Sequence, residues 1–145
     1  MQSARNIVRV FFGMAIFFAL GGEATAACSI LDGALLIDIK PGNFPNSINP
    51  RSTGTIPVAI LTNADFHAHT VALETVRFGK TGTEASAVHS ALEDVDRDGD
   101  LDLILYFSIQ DTGIQCGDRS ASLTGQTTGG QAIRGSDSLV TVGCM

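Results

Sequence analysis

Glu93-Asp94-Val95-Asp96-Arg97-Asp98-Gly99-Asp100-Leu101-Asp102 runs directly into Leu103-Ile104-Leu105-Tyr106-Phe107, and the join between the two decides the fold. In the second run, Leu103, Leu105 and Phe107, with Ile109 beyond, share one face of a strand, while Ile104 and Tyr106 occupy the other. Apolar residues on both faces predict a central strand. The first run carries a carboxylate at every second position around a single glycine. Counted from Asp94 as position 1, Asp96, Asp98, Asp100 and Asp102 stand at 3, 5, 7 and 9, with Gly99 at 6. A tight loop turns successive odd-numbered side chains inward, and Gly99 permits the positive φ that such a turn demands. Clustered carboxylates repel one another at short range unless a cation sits among them. Ca2+, a hard cation wanting six to eight oxygens, suits the pattern better than magnesium or zinc. Asp94, Asp96, Asp98, Asp100 and Asp102 are therefore the expected ligands, and Ca2+ the expected cofactor.

The loop departs from the EF-hand. Its position 12, where an EF-hand carries a bidentate acid, is Leu105, and no helical periodicity flanks it. It is more similar to the Asp-x-Asp-x-Asp-Gly-x-x-Asp loops that join β-strands in integrin-type propeller repeats. Asp102, a backbone carbonyl, water, Glu93 or Asp111 are the candidates for the missing ligand.

Outward from the loop, short strands alternate with turn chemistry. Leu35-Leu36-Ile37-Asp38-Ile39-Lys40 places Leu35, Ile37 and Ile39 on one face, and Pro41-Gly42 stops it. Residues 43–53 read as turns throughout. Ile56-Pro57-Val58-Ala59-Ile60-Leu61 is a second strand, placed at an edge or sheet margin because Pro57 cannot donate to a ladder. Residues 71–74 suggest one helical turn, followed by short strands at Val76-Arg77-Phe78 and Ala87-Val88-His89. Beyond the central strand come a strand holding Ala121 and Leu123, and a last one in Ser138-Leu139-Val140-Thr141-Val142. No sustained helical period follows residue 26. The expectation is all-β: a single Ig-like, Greek-key β-sandwich of about seven short antiparallel strands.

The first 26 of the 145 residues have a different character. Arg5 and Arg9 precede an apolar core at residues 10–20, and Ala24-Thr25-Ala26 is a small-x-small cleavage site. That order is a secretory signal peptide, and its apolar run falls short of the roughly 20 residues a bilayer needs. A lipoprotein acylated at Cys28 is the weaker alternative, since Thr25 stands where a bulky aliphatic residue belongs. Residues 27–145 then form one domain with no further membrane segment, secreted or periplasmic. Of the 9 Lys+Arg and 15 Asp+Glu, the leader holds Arg5, Arg9 and Glu23, leaving 7 basic and 14 acidic residues. Six of those acids lie within residues 93–102, so the acidity is mostly one loop, and no basic face offers itself to nucleic acid. Export permits disulfides. Cys116 and Cys144, both in the last third of the chain, are the favoured pair. Cys28 is left free or competes for either partner, and no CxxC spacing suggests a thiolate metal site.

Other chemistry is sparse. His67 and His69 lack a third nearby donor for zinc or copper, and His89 stands alone. Neither a nucleophile elbow nor HExxH occurs, so no catalytic residue is assigned and the chain is expected not to be an enzyme. Aromatic sugar platforms look thin, with no Trp and one Tyr.

Several stretches together resemble a recurrent exported bacterial domain. They are Ile37-Asp38-Ile39-Lys40-Pro41-Gly42, Pro45-Asn46-Ser47-Ile48-Asn49-Pro50, Gly54-Thr55-Ile56-Pro57-Val58-Ala59-Ile60-Leu61, Val76-Arg77-Phe78-Gly79, the acidic loop, Gln110-Asp111-Thr112-Gly113-Ile114 and Asp137-Ser138. That domain occurs in secreted and surface-associated proteins, often beside calcium or adhesion modules, and has no assigned activity. The resemblance implies export, a β fold and the acidic loop, and names no substrate; His67 and His69 fall outside it. The expected function is a calcium-binding β module with a structural or binding role at the cell exterior, toward an extracellular or periplasmic partner that the sequence does not name. The alternatives are an adhesion or carbohydrate-binding module that uses calcium directly, and a hydrolase with an unrecognised site.

Overall fold

In the computed structural model, residues 34–145 are described; the expected signal peptide and Cys28 lie outside them. The strands are β1 (Ile37–Ile39), β2 (Ser47–Ile48), β3 (Thr55–Ile60), β4 (Arg77–Gly79), β5 (Ala85–Glu93), β6 (Asp102–Ser108), β7 (Ser120–Gln126), β8 (Ala132–Ser138) and β9 (Val140–Thr141). Seven of them make one antiparallel sheet in the order β1-β3-β6-β5-β4-β7-β8, while β2 and β9 pair separately in parallel. The chain is all-β, as expected, and the only helical segments among the described residues are single 3-10 turns.

The sheet curls until its two ends meet, which brings it close to a barrel. Ala34 and Arg134 form a parallel bridge, and the Leu35 N–H donates to the Arg134 carbonyl at 2.8 Å. Farther along the seam the Asp137 carboxylate takes over from the backbone, accepting the Ile39 N–H at 2.9 Å. The same Oδ2 accepts from the Asn46 amide at 3.0 Å, and that amide also donates to the Ser138 carbonyl at 2.8 Å. Asn46 is buried. It ties the segment before β2 to the end of β8. Burial, and after it the neighbouring Asp137 charge, raises the Asp38 carboxyl above its ordinary range.

Alternation fills the interior. Ile37 and Ile39 of β1, Ile56, Val58 and Ile60 of β3, and Leu103, Leu105 and Phe107 of β6 enter one core with Phe78, Leu123 and Ile133. The Phe78 and Phe107 rings lie 5.1 Å apart at a tilt of 33°. β6 lies between β3 and β5, as its two apolar faces require. β3 is not the edge strand the sequence suggests, since it lies between β1 and β6, but its first residues run past the end of β1, and Pro57 stands there. Its carbonyl accepts from the Lys40 N–H at 2.8 Å, so its missing donor points toward β1 where that strand ends.

Three elements differ from the sequence expectation. Residues 43–53 are not turns throughout, because Ser47 and Ile48 pair with Val140 and Thr141 and bury Ile48. β5 runs from Ala85 to Glu93, well beyond Ala87-Val88-His89; pairing with β6 carries it, bulged between Ala87 and His89, although most of it is exposed. β8 is a strand of its own that ends at Ser138, and residues 139–142 contribute only the two-residue β9. Gly135 is why β8 is possible. A Cβ there would stand 2.9 Å from Ile37 Cγ2 and 3.0 Å from the Leu35 carbonyl oxygen. Gly135→Val is expected to force the seam apart and lower stability by about 2 kcal/mol, read as a shifted urea midpoint with an unchanged slope.

Candidate metal centre

The acidic loop is the connection of a β-hairpin. Glu93 ends β5, Asp102 begins β6, and the two residues are paired across the ladder. Residues 94–101 must therefore leave and re-enter adjacent strands. The chain does so with left-handed backbone at Arg97 (φ 62°) and Gly99 (φ 98°). The carboxylates organise the turn from within. Asp94 accepts the Asp98 N–H at 3.1 Å on Oδ1 and the Gly99 N–H at 3.0 Å on Oδ2. Asp98 accepts the Asp100 N–H at 2.9 Å.

Asp102 has a different environment. It is fully buried at the start of the central strand. Its Oδ1 accepts the Thr62 N–H at 2.8 Å and its Oδ2 the Val95 N–H at 2.9 Å. Thr62 is buried as well; its hydroxyl donates to the Leu101 carbonyl at 2.7 Å and accepts the Ala68 N–H at 2.9 Å. One carboxylate thus joins the end of the hairpin loop to the segment that follows β3. Thr62 is the residue that sequence reasoning missed. It follows a strand as an ordinary polar residue, and only its pairing across the fold reveals it.

Asp94, Asp96 and Asp102 come together, each offering a carboxylate oxygen within 4.8 Å of the others. Asp98 and Asp100 are exposed on the loop and stand outside this group. Asp111, a candidate for the missing ligand, lies past the far end of β6 in the 3-10 turn Ile109–Asp111, away from the cluster. Desolvation within the loop, and after it the charge of Asp102, pushes the Asp96 carboxyl above its ordinary range. Uncompensated neighbouring carboxylates act in that direction, and a divalent cation reverses it. Each carboxylate oxygen has two lone pairs, so the hydrogen bonds to Asp102 leave acceptor capacity for a cation. An all-oxygen donor set suits a hard divalent cation such as magnesium, calcium or manganese. The group can hold a metal ion.

Elsewhere, Cys116 and Cys144 form the expected disulfide, with their Cα atoms 5.8 Å apart. His67, which precedes the 3-10 turn Ala68–Thr70, and His69 within it are exposed, their ring centroids 5.7 Å apart. Among the described residues they join no metal-binding group of three or more. No helix among those residues is long and apolar enough to cross a membrane.

What fold and site define together is an all-β domain with an acidic cluster on a hairpin between its central strands. Neither a protein-family model nor a characterised protein nor a solved structure matches the chain.

Proposed function

We propose that the chain is an exported calcium-binding β module with a structural or binding role outside the cytoplasm, and not an enzyme. The convergence of Asp94, Asp96 and Asp102 carries this proposal. Calcium offsets two of the three negative charges and pins residues 94–101 to the ends of β5 and β6. Asp98 and Asp100, on the same loop, are the carboxylates available with water to complete the coordination shell. The signal-peptide pattern of residues 1–26 and the disulfide support export, because disulfides persist in oxidising compartments.

Calcium that binds the native protein and not the unfolded chain stabilises it by mass action. Extracellular calcium modules have dissociation constants of about 10⁻⁴–10⁻³ M. A tenfold to hundredfold excess then adds about 1.4–2.7 kcal/mol, roughly 5–10 °C in melting temperature for a domain of this size. Melting curves of the protein in calcium chloride and in EDTA, with a calorimetric titration, measure it. Identical curves and no heat of binding refute the calcium site.

A further inference from the structure

The sheet closes its two ends on each other but leaves an edge open in the middle. β5 pairs with β6 from Ala87 to Glu93. On its other side β4 reaches only Ala85 and Ser86. Among the described residues, no strand, isolated bridge or turn hydrogen bond meets that side of residues 89–93. Such an edge presents the N–H and C=O groups of alternate residues to solvent, ready to pair with another strand. Neither proline nor lysine guards it, since the five residues read His89-Ser90-Ala91-Leu92-Glu93. Leu92 shows what is missing. It stands opposite Leu103, on the side of the sheet that faces the core, yet it is 49% exposed because no strand lies beyond it.

A second copy of this chain fits the edge. Identical edges related by a twofold axis pair antiparallel. The bulge between Ala87 and His89 limits the regular stretch to residues 89–93, so full overlap puts the axis at their midpoint, Ala91. That register sets His89 opposite the partner's Glu93 at both ends, where an imidazole N–H meets a carboxylate. It also sets Ser90 opposite the partner's Leu92 and brings the two Leu92 side chains to diagonal positions, within reach of each other. Asp94 lies three residues from the axis in each copy, so the acidic loops begin about 20 Å apart. Exposed charges are screened over roughly 8 Å at physiological salt, and the loops do not oppose the pairing. An unrelated extended peptide would gain the backbone bonds without the matched His89 and Glu93, which favours the second copy.

We infer that the chain forms a symmetric dimer in which residues 89–93 of β5 pair antiparallel with the same residues of a second copy. The inference stands apart from the calcium reading, because Asp94, Asp96 and Asp102 take no part in the pairing. Sedimentation velocity from about 10 µM to about 1 mM protein tests it, a range suited to a small interface. A reversible dimer is expected, with hydrogen exchange at alternate amides of residues 89–93 slowing as concentration rises. His89→Glu sets like charges opposite each other at both ends and should weaken the dimer about tenfold or more. Adding Glu93→Lys to it restores complementary pairs and should recover the dimer. Leu92→Ser, at an exposed position, should weaken the dimer and leave the melting temperature of the monomer unchanged. A protein that stays monomeric up to about 1 mM overturns the inference. A dimer indifferent to both His89→Glu and Leu92→Ser places the contact on another surface and overturns it too. So does a folded His89→Glu/Glu93→Lys variant that fails to regain the dimer.

Discussion

Asp102→Ala is expected to lower the stability of the protein by about 3–4 kcal/mol, on the order of 15 °C in melting temperature. The substitution strands the backbone N–H groups of Thr62 and Val95, which donate to the two carboxylate oxygens. An unsatisfied buried donor costs about 1–3 kcal/mol, and here the lost acceptor is a charged one. Relief of repulsion toward Asp96 offsets little, because Asp96 is exposed and its charge is screened by water. The outcome separates two roles of one side chain. Asp102→Asn keeps one oxygen acceptor, so its stability in EDTA should lie between that of wild type and alanine. Both variants should nevertheless lose most of the calcium-dependent melting shift, since neither leaves a carboxylate at the buried corner of the cluster. Asp96→Ala should show the converse, a small change in EDTA with a large loss of the calcium shift. An Asp102→Ala protein as stable as wild type in EDTA would show that water satisfies Thr62 and Val95 equally well.

The centre of the fold is legible in the sequence, and its periphery is not. β6 is evident because Leu103, Leu105 and Phe107 alternate with Ile104 and Tyr106, a pattern that needs no partner to be recognised. The convergence of Asp94, Asp96 and Asp102 is legible for a similar reason, since spacing around Gly99 is a local property of the chain. Features that depend on distant segments are hidden. Nothing near Thr62 points to Asp102, 40 residues away. Asn46 and Asp137 fall in two stretches that carry the family resemblance, but their shared role in closing the sheet appears only when residues 91 apart meet. β8 escapes notice because residues 132–138 carry one large apolar residue, Ile133, and the need for a residue without a side chain at Gly135 shows only in the close approach of β1. Tyr106 is a subtler case. Its place in the central strand is correct, yet a central strand in a curled sheet still has an outer face, and there the ring is half exposed.

Reducing the Cys116–Cys144 disulfide is expected to cost about 3.5 kcal/mol, a value that follows from the loop entropy of cysteines separated by 28 residues. The bond spans β7, β8 and β9 and fastens the end of the chain to the segment between β6 and β7. Few other contacts hold that end. β9 is two residues long, Gly117 N–H donates to the Thr141 hydroxyl at 2.9 Å, and the Met145 carbonyl accepts from Arg51 at 2.8 Å. Both cysteines are exposed, so a reductant reaches the bond without prior unfolding. Release of β9 removes the partner of β2, and with it the ladder beside Asn46, which helps to close the seam between β1 and β8. Hydrogen exchange in dithiothreitol should therefore rise first at Ile48 and Val142 N–H groups, then at Leu35 and Ile39 N–H groups. The amides of β3 and β6 should stay protected until global unfolding. A Cys116→Ala/Cys144→Ala variant should reproduce the lower stability and become insensitive to reductant. Its calcium response should persist, because β5, β6 and the loop between them lie outside the disulfide-closed segment. Equal loss of protection in β6 and at the seam would mean that the fold melts as one unit, and that the disulfide guards the metal centre as well as the chain end.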